Sequence, residues 1–164
     1  MKSLFVSLLV IASVSCFSQN AKERANDFLA DKLGAFTATS ESESKVLDDG
    51  AMRIERAYTS GEKSLEIEIN IPKGKEEFAK VQSEIDEIMG MFQEMSAEGK
   101  MDFSPISDNK VSGALTFSEG RGSAIIIAYN RFVVEIKLKG ISGIDEFKTF
   151  FDSLEFDNLQ KAKG

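Results

Sequence analysis

Two stretches constrain this chain more than any others: "SLEIEINI" (64–71) and "RFVVEIKLKG" (131–140). In the first, Leu65, Ile67, Ile69 and Ile71 alternate with Glu66, Glu68 and Asn70; in the second, Val134, Ile136 and Leu138 alternate with Glu135, Lys137 and Lys139. A period of two sends all the apolar side chains to one side of an extended strand and the polar ones to the other. A sheet with one buried and one wet face accepts such strands, and sheets of that kind are antiparallel.

The neighbouring segments extend the pattern. "AMRIERAYT" meets "SLEIEINI" across the turn "SGEK", "KVSGALTFS" meets "SAIIIAYN" across "EGRG", and "SAIIIAYN" meets the last strand across a tight turn at Asn130 and Arg131. Ala124 to Ala128 contains no polar residue, which predicts a central strand. Residues 20–33 place Ala21, Ala25, Phe28, Leu29 and Leu33 on one helical stripe, with Gly34 where a left-handed cap belongs. The polar stretch "TATSESESKVLDDG" reads as a solvated loop, with a short edge strand near Phe36 to Ala38.

Residues 75–97 form a longer helix. At 100° per residue, Phe78, Val81, Ile85, Ile88, Met89, Phe92 and Met95 fall within a stripe of about 120°. A last helix follows Ser142, with Asp145 three residues on in the capping-box position and Ile144, Phe147, Phe151 and Leu154 as its apolar stripe. The expected class is α+β: an antiparallel sheet of five to seven strands with helices packed on one face.

The two alternating strands also open two similar units. A shift of 69 positions aligns "EIEINIPKGKEEF" (66–78) with "EIKLKGISGIDEF" (135–147), pairing Glu66 with Glu135, Ile67 with Ile136, Gly74 with Gly143, Glu77 with Glu146 and Phe78 with Phe147. The expectation is an internal repeat of two ββα halves, about 50–97 and 111–158.

The first residues, "MKSLFVSLLVIASVSCFSQN", carry a basic head at Lys2, an apolar run from Leu4 to Val14 and a small-residue tail. That arrangement predicts an export signal cleaved after Ser18, leaving residues 19–164 as a single periplasmic domain. The alternative is a lipoprotein anchored through Cys16, although Ser13 is a poor match for the leucine-like residue expected three positions earlier. Loss of residues 1–18 removes Lys2 and takes the formal charge from −7 to −8. Such a surface repels phosphate backbones, so nucleic acid is not an expected partner.

The chain has no histidine and its one cysteine is Cys16. Serine-histidine triads, thiol nucleophiles and imidazole metal sites are therefore excluded from the mature domain, and no cofactor is expected. Carboxylate chemistry remains open, with Glu66 and Glu68 about 7 Å apart along one strand face. Four of the six methionines lie in "IMGMFQEMSAEGKM" (88–101). Thioethers accept copper(I), and Met91 and Met101 are the candidates for such a site. Methionine is more often an adaptable core filler, and Met89 and Met95 are expected to serve that way. Arg56, Tyr58, Tyr129 and Arg131 are candidate contacts for a ligand or partner, if the two halves place the tyrosines equivalently around a basic spot.

The runs "DKLGAF", "RAYTSGEKSLEIEI" and "YNRFVVEIKLKGISGIDEFKTFFDSLEFDNL" make the chain similar to a set of small exported bacterial proteins without an assigned activity. The order of strands and helices also resembles the PsbP-like and Mog1-like sandwich folds, which implies a binding or assembly role. Three functions follow as expectations: a non-catalytic periplasmic module that binds an unknown protein, peptide or apolar ligand; a carboxylate-dependent hydrolase; and a methionine-based copper(I) binding protein.

Overall fold

The computed structural model describes residues 20–108 and 110–160. Helix α1 (20–28) leads into three short strands, β1 (Lys32–Leu33), β2 (Phe36–Ala38) and β3 (Glu43–Val46). Two long strands, β4 (Met52–Ser60) and β5 (Lys63–Ile71), precede helix α2 (Lys75–Ala97). Four further strands follow, β6 (Asp102–Ser107), β7 (Val111–Ser118), β8 (Arg121–Ala128) and β9 (Phe132–Lys139), and the described chain closes with α3 (Ile144–Asp152) and α4 (Asp157–Gln160).

All nine strands join one antiparallel sheet in the order β1-β2-β4-β5-β9-β8-β7-β6, with β3 pairing the other half of the β4 edge. The two alternating strands are neighbours at its middle. Their register sets Leu65 opposite Leu138, Ile67 opposite Ile136 and Ile69 opposite Val134, so the apolar halves of both patterns coincide on one face. Helices α1 and α3 cover that face. Ala21, Ala25 and Phe28 from α1 and Phe147 and Phe151 from α3 are buried against it, and the Phe156 ring contacts those of Phe28 and Phe151, each at a centroid distance of 5.2 Å. Each fully buried Leu, Ile or Phe side chain is worth about 1.5–3 kcal/mol, which makes this layer the main source of stability.

Helix α2 lies on the opposite face. Its buried Ile85 packs with Ile127 and Val133, and half-buried Phe78, Val81, Met89 and Ile125 surround them. This explains the unbroken apolar run of β8: Ala124, Ile126 and Ala128 face the main core while Ile125 and Ile127 face α2. No helix among the described residues is long and apolar enough to cross a membrane.

The α+β class and the antiparallel sheet are as the alternation predicts, and α2 spans the expected residues. Several details differ. The sheet has nine strands, because β3 sits inside the polar loop and β6 contains Pro105; both are short, mostly exposed strands, where proline and charge are tolerated. The first helix stops near residue 28, so Leu33 joins β1, and Gly34 (φ 58) serves the β1–β2 turn instead of a helix cap. The turn before β9 puts Tyr129 and Asn130 in the left-handed region, one residue earlier than expected.

The two units aligned at a shift of 69 share their helix starts. In each, a glycine stands at the N-cap and a glutamate three residues later reaches back: Lys73 N–H donates to Glu77 Oε2 at 2.8 Å, and Ser142 N–H donates to Glu146 Oε2 at 2.8 Å. The reciprocal partner of Ser142 is thus Glu146 and not Asp145, which corrects the expected capping box; the Ser142 hydroxyl also donates to Glu146, at 2.9 Å. The units then part, since α2 and α3 cover opposite faces of the sheet.

Glu146 also forms an ion pair with Lys63. That contact first, and then the Ser142 donors, draws its carboxyl down from 4.5 to about 2. A depressed carboxyl stabilises the fold above its unfolded pKa and loses that contribution as pH falls toward the folded value. Glu146→Gln is therefore expected to lower Tm at pH 6, with the gap to the parent closing between about pH 4.5 and 2. A gap that stays constant down to pH 2 in a thermal-melt series would contradict this account of the α3 cap.

Candidate functional site

With α1, α3 and α4 packed on one face, the other face is only half covered. The part beside α2 forms an open trough. Its floor is built from β4, β5, β9 and β8, through Arg53, Asn70, Val133, Glu135 and Ile125; Val81, Glu84, Ile85 and Ile88 of α2 form one wall and the 47–51 connection forms the other. The trough continues over the wet end of the sheet, past Glu55, Glu66, Glu68 and Lys137.

The register of the floor is its unusual property. Glu43 stands opposite Glu55, Glu55 opposite Glu68, and Glu68 opposite Glu135, so four carboxylates form one row across four strands. Directly opposed like charges destabilise a sheet. Glu68 is compensated: Arg53 Nε pairs with its Oε1 at 3.0 Å and Asn70 Nδ2 donates to the same atom at 2.7 Å. No ion pair or side-chain hydrogen bond among the described residues engages Glu43, Glu55 or Glu135.

The carboxylates are solvated rather than enclosed. Among the described residues Thr116 is the one buried polar side chain, and Glu66 is exposed. Nor do the described residues contain a group of three or more carboxylates or thiolates placed to hold a metal ion.

The structure distributes the other candidate residues widely. Arg56 points to the α1 side of the sheet, where Nη1 donates to Leu29 O at 2.6 Å, Nε to Ser40 O at 2.9 Å and Nη2 to Asp31 Oδ1 at 2.6 Å. Its guanidinium thus occupies the negative end of α1 and satisfies a carbonyl that the helix leaves without a partner. Tyr58 is buried beside it, with the Arg56 guanidinium 5.8 Å from the ring centroid. Burial pushes the Tyr58 hydroxyl up to about 12, against an opposing pull from Arg56.

Tyr129 sits at the other end of the sheet. Its hydroxyl donates to Asp157 Oδ1 at 2.7 Å, and Lys110 Nζ reaches the same oxygen at 3.0 Å, which pins α4 to the β8–β9 turn. Burial first, and then this bond, raises the Tyr129 hydroxyl above its ordinary range. Arg131 is half-buried, 5.5 Å from the Phe132 ring centroid, and burial lowers its pKa. Tyr58 is opposite Leu65, which is in turn opposite Leu138 and then Gly122, whereas Tyr129 follows Ala128 at the other end of β8, so the two tyrosines stand roughly 25 Å apart across the sheet. They form no common site.

The methionines depart from expectation in one respect. Met89 packs beside Ile85, but Met95 is 38% exposed and Met91 55% exposed, while Met101 is half-buried past the end of α2. The helical stripe was legible; its width against the sheet was not. Sequence reasoning missed Glu84 and Glu135 as candidates, and although it put Val81 and Ile88 on the helical stripe and counted Arg53 among the basic residues, it did not bring these five together; they are joined only by strand register and by the face on which α2 lies.

No protein-family model matches the chain, and no curated protein matches it. Among solved structures it is similar to a GTP binding regulator from Thermotoga maritima, with a TM-score of 0.45 and 10% identity, over 80% of this chain and 87% of that one. A likeness at this level carries no functional argument.

Proposed function

We propose that this protein is a non-catalytic, exported binding module whose ligand or partner occupies the trough between α2 and the sheet. The observation that carries the reading is the asymmetry of cover: one face of the sheet is closed by helices, while the other keeps a concave strip with apolar Val81, Ile85, Ile88, Ile125 and Val133 beside charged groups. Concave sites lined by apolar side chains with a few placed polar groups are the usual form of a binding surface. The absence of a buried carboxylate among the described residues weighs against the hydrolase, because a general acid needs a carboxyl kept from water. Export rests on residues 1–18, which lie outside the described residues.

The test is capture of partners from native envelope by the processed protein and by Ile88→Glu, a half-buried position on the trough wall. Loss of a captured species with Ile88→Glu, at a Tm within a few degrees of the parent, is the expected result. Equal capture by both proteins would overturn the site. A mature N-terminus at Gln19, read by mass spectrometry, is expected for the exported form; retention of residues 1–18 would refute export, and a lipid-modified Cys16 would replace the soluble form with an anchored one.

A further inference from the structure

Helix α2 buries one of its 23 residues, and its C-terminal half exposes two methionines. At 100° per residue, Met91 and Met95 fall on the same side as Glu84 and Ile88, which line the trough. The apolar wall therefore continues uncovered along the last turns of the helix.

The charged residues on the last three turns of α2, Asp86, Glu87 and Glu94, are all acidic. The lysines of α2, Lys75 and Lys80, are both in its first two turns, and its last turn contains no basic residue. Glu84, Glu87 and Glu94 are exposed, and no salt bridge among the described residues engages them. A helix C-terminus carries partial negative charge, so Glu94 next to it is unfavourable, and Glu84 and Glu87 repel each other at a three-residue spacing. The floor repeats the pattern in its row of opposed glutamates. Glu84 on the wall and Glu135 on the floor line the same strip, while Glu87 and Glu94 flank the exposed methionines on the side of α2 away from the sheet.

Building on the trough reading, we infer that the occupant is a cationic amphipathic polypeptide segment, whose apolar residues cover Ile88, Met91 and Met95 while its lysines or arginines meet the glutamates of α2 and of the sheet. Flexible methionines suit a surface that accepts varied apolar side chains, and docking of an amphipathic segment into a groove is a common recognition mode. A second copy of this chain is disfavoured, since it would bring the same acidic strip and a formal charge of −7 against itself.

The test titrates the full mature domain with three synthetic 14-residue peptides that share one amphipathic leucine pattern and carry lysine, glutamine or glutamate at the polar positions. The lysine peptide is expected to bind, at least tenfold more tightly than the glutamine peptide and with affinity falling as salt rises, while the glutamate peptide shows none. Met91→Ser with Met95→Ser, and separately Glu84→Lys with Glu94→Lys, are each expected to weaken binding about tenfold without changing Tm by more than a few degrees. Equal binding of the lysine and glutamine peptides would overturn the charge argument. So would a dimer in sedimentation that the methionine pair dissolves, which would make a second copy the occupant. If Ile88→Glu still loses an envelope partner while the lysine peptide does not bind, this inference alone fails; if Ile88→Glu loses nothing, the trough itself does.

Discussion

Gly113→Ala is expected to leave the protein unable to hold its sheet, with a loss of at least about 4 kcal/mol, in the range reached only by severe steric or core defects. Gly113 lies in β7, paired with Ile106 on one side and Ile126 on the other, at φ 152, a value side-chain-bearing residues rarely adopt. A Cβ built there would stand 2.1 Å from Ile125 O and 2.9 Å from Ile126 Cα. Both obstacles are backbone of a central strand, so relief would require prising β7 from β8 and carrying β6 with it. The same substitution at Gly90 provides the contrast. That glycine is inside α2 with no atom within 4 Å of a built Cβ, and Gly90→Ala is expected to stabilise the protein by about 0.5–1 kcal/mol through helix propensity. Urea denaturation of the pair decides the matter: a Gly113→Ala protein within 1 kcal/mol of the parent would show that the β7–β8 approach is looser than described.

The second large effect is expected at Arg56. Arg56→Met keeps the apolar stem but removes donors from Leu29 O, Ser40 O and Asp31. The Asp31 contact counts for little, since its side chain is 90% exposed. Ser40 O is exposed and can turn to water, but Leu29 O is left part-buried beside a side chain that is only 11% exposed, and stranding it together with the lost charge-assisted bonds amounts to about 2–3 kcal/mol. Arg56→Lys should recover little, because one ammonium cannot serve three acceptors in a fixed fork. The loss should appear in hydrogen exchange as early opening of α1, with trough binding retained at temperatures where the domain stays folded. A protein of parental stability that loses its partner would instead return Arg56 to the role of a ligand contact.

Arg56 shows where sequence reasoning reached its limit. Alternation predicts that β4 has an apolar side, and Ile54 and Tyr58 duly face the core, but Arg56 shares that side and looks like a break in the pattern. Only the C-terminus of α1 arriving above it supplies the acceptors that turn the break into a clamp. The methionines of α2 pose the opposite case. Their spacing correctly predicts the helix and its stripe, yet a stripe of given width says nothing about how much of it a curved sheet can cover, and Met95 stays in water.

The sequence by itself determined the antiparallel sheet, the one apolar and one wet side of β5 and β9 and the extent of α2, because side-chain period is a property of each segment and needs no partner to be read; that β5 and β9, and not β8, form the middle pair came from the strand order. Tertiary structure alone decided which face each helix covers. The connections from β5 to α2 and from β9 to α3 are of similar length, and both helices start with the same glycine and glutamate. Nothing local distinguishes them. Competition for the larger apolar face does: α1 and α3 occupy it, α2 is left with the smaller patch at Ile125, Ile127 and Val133, and the uncovered remainder becomes the trough.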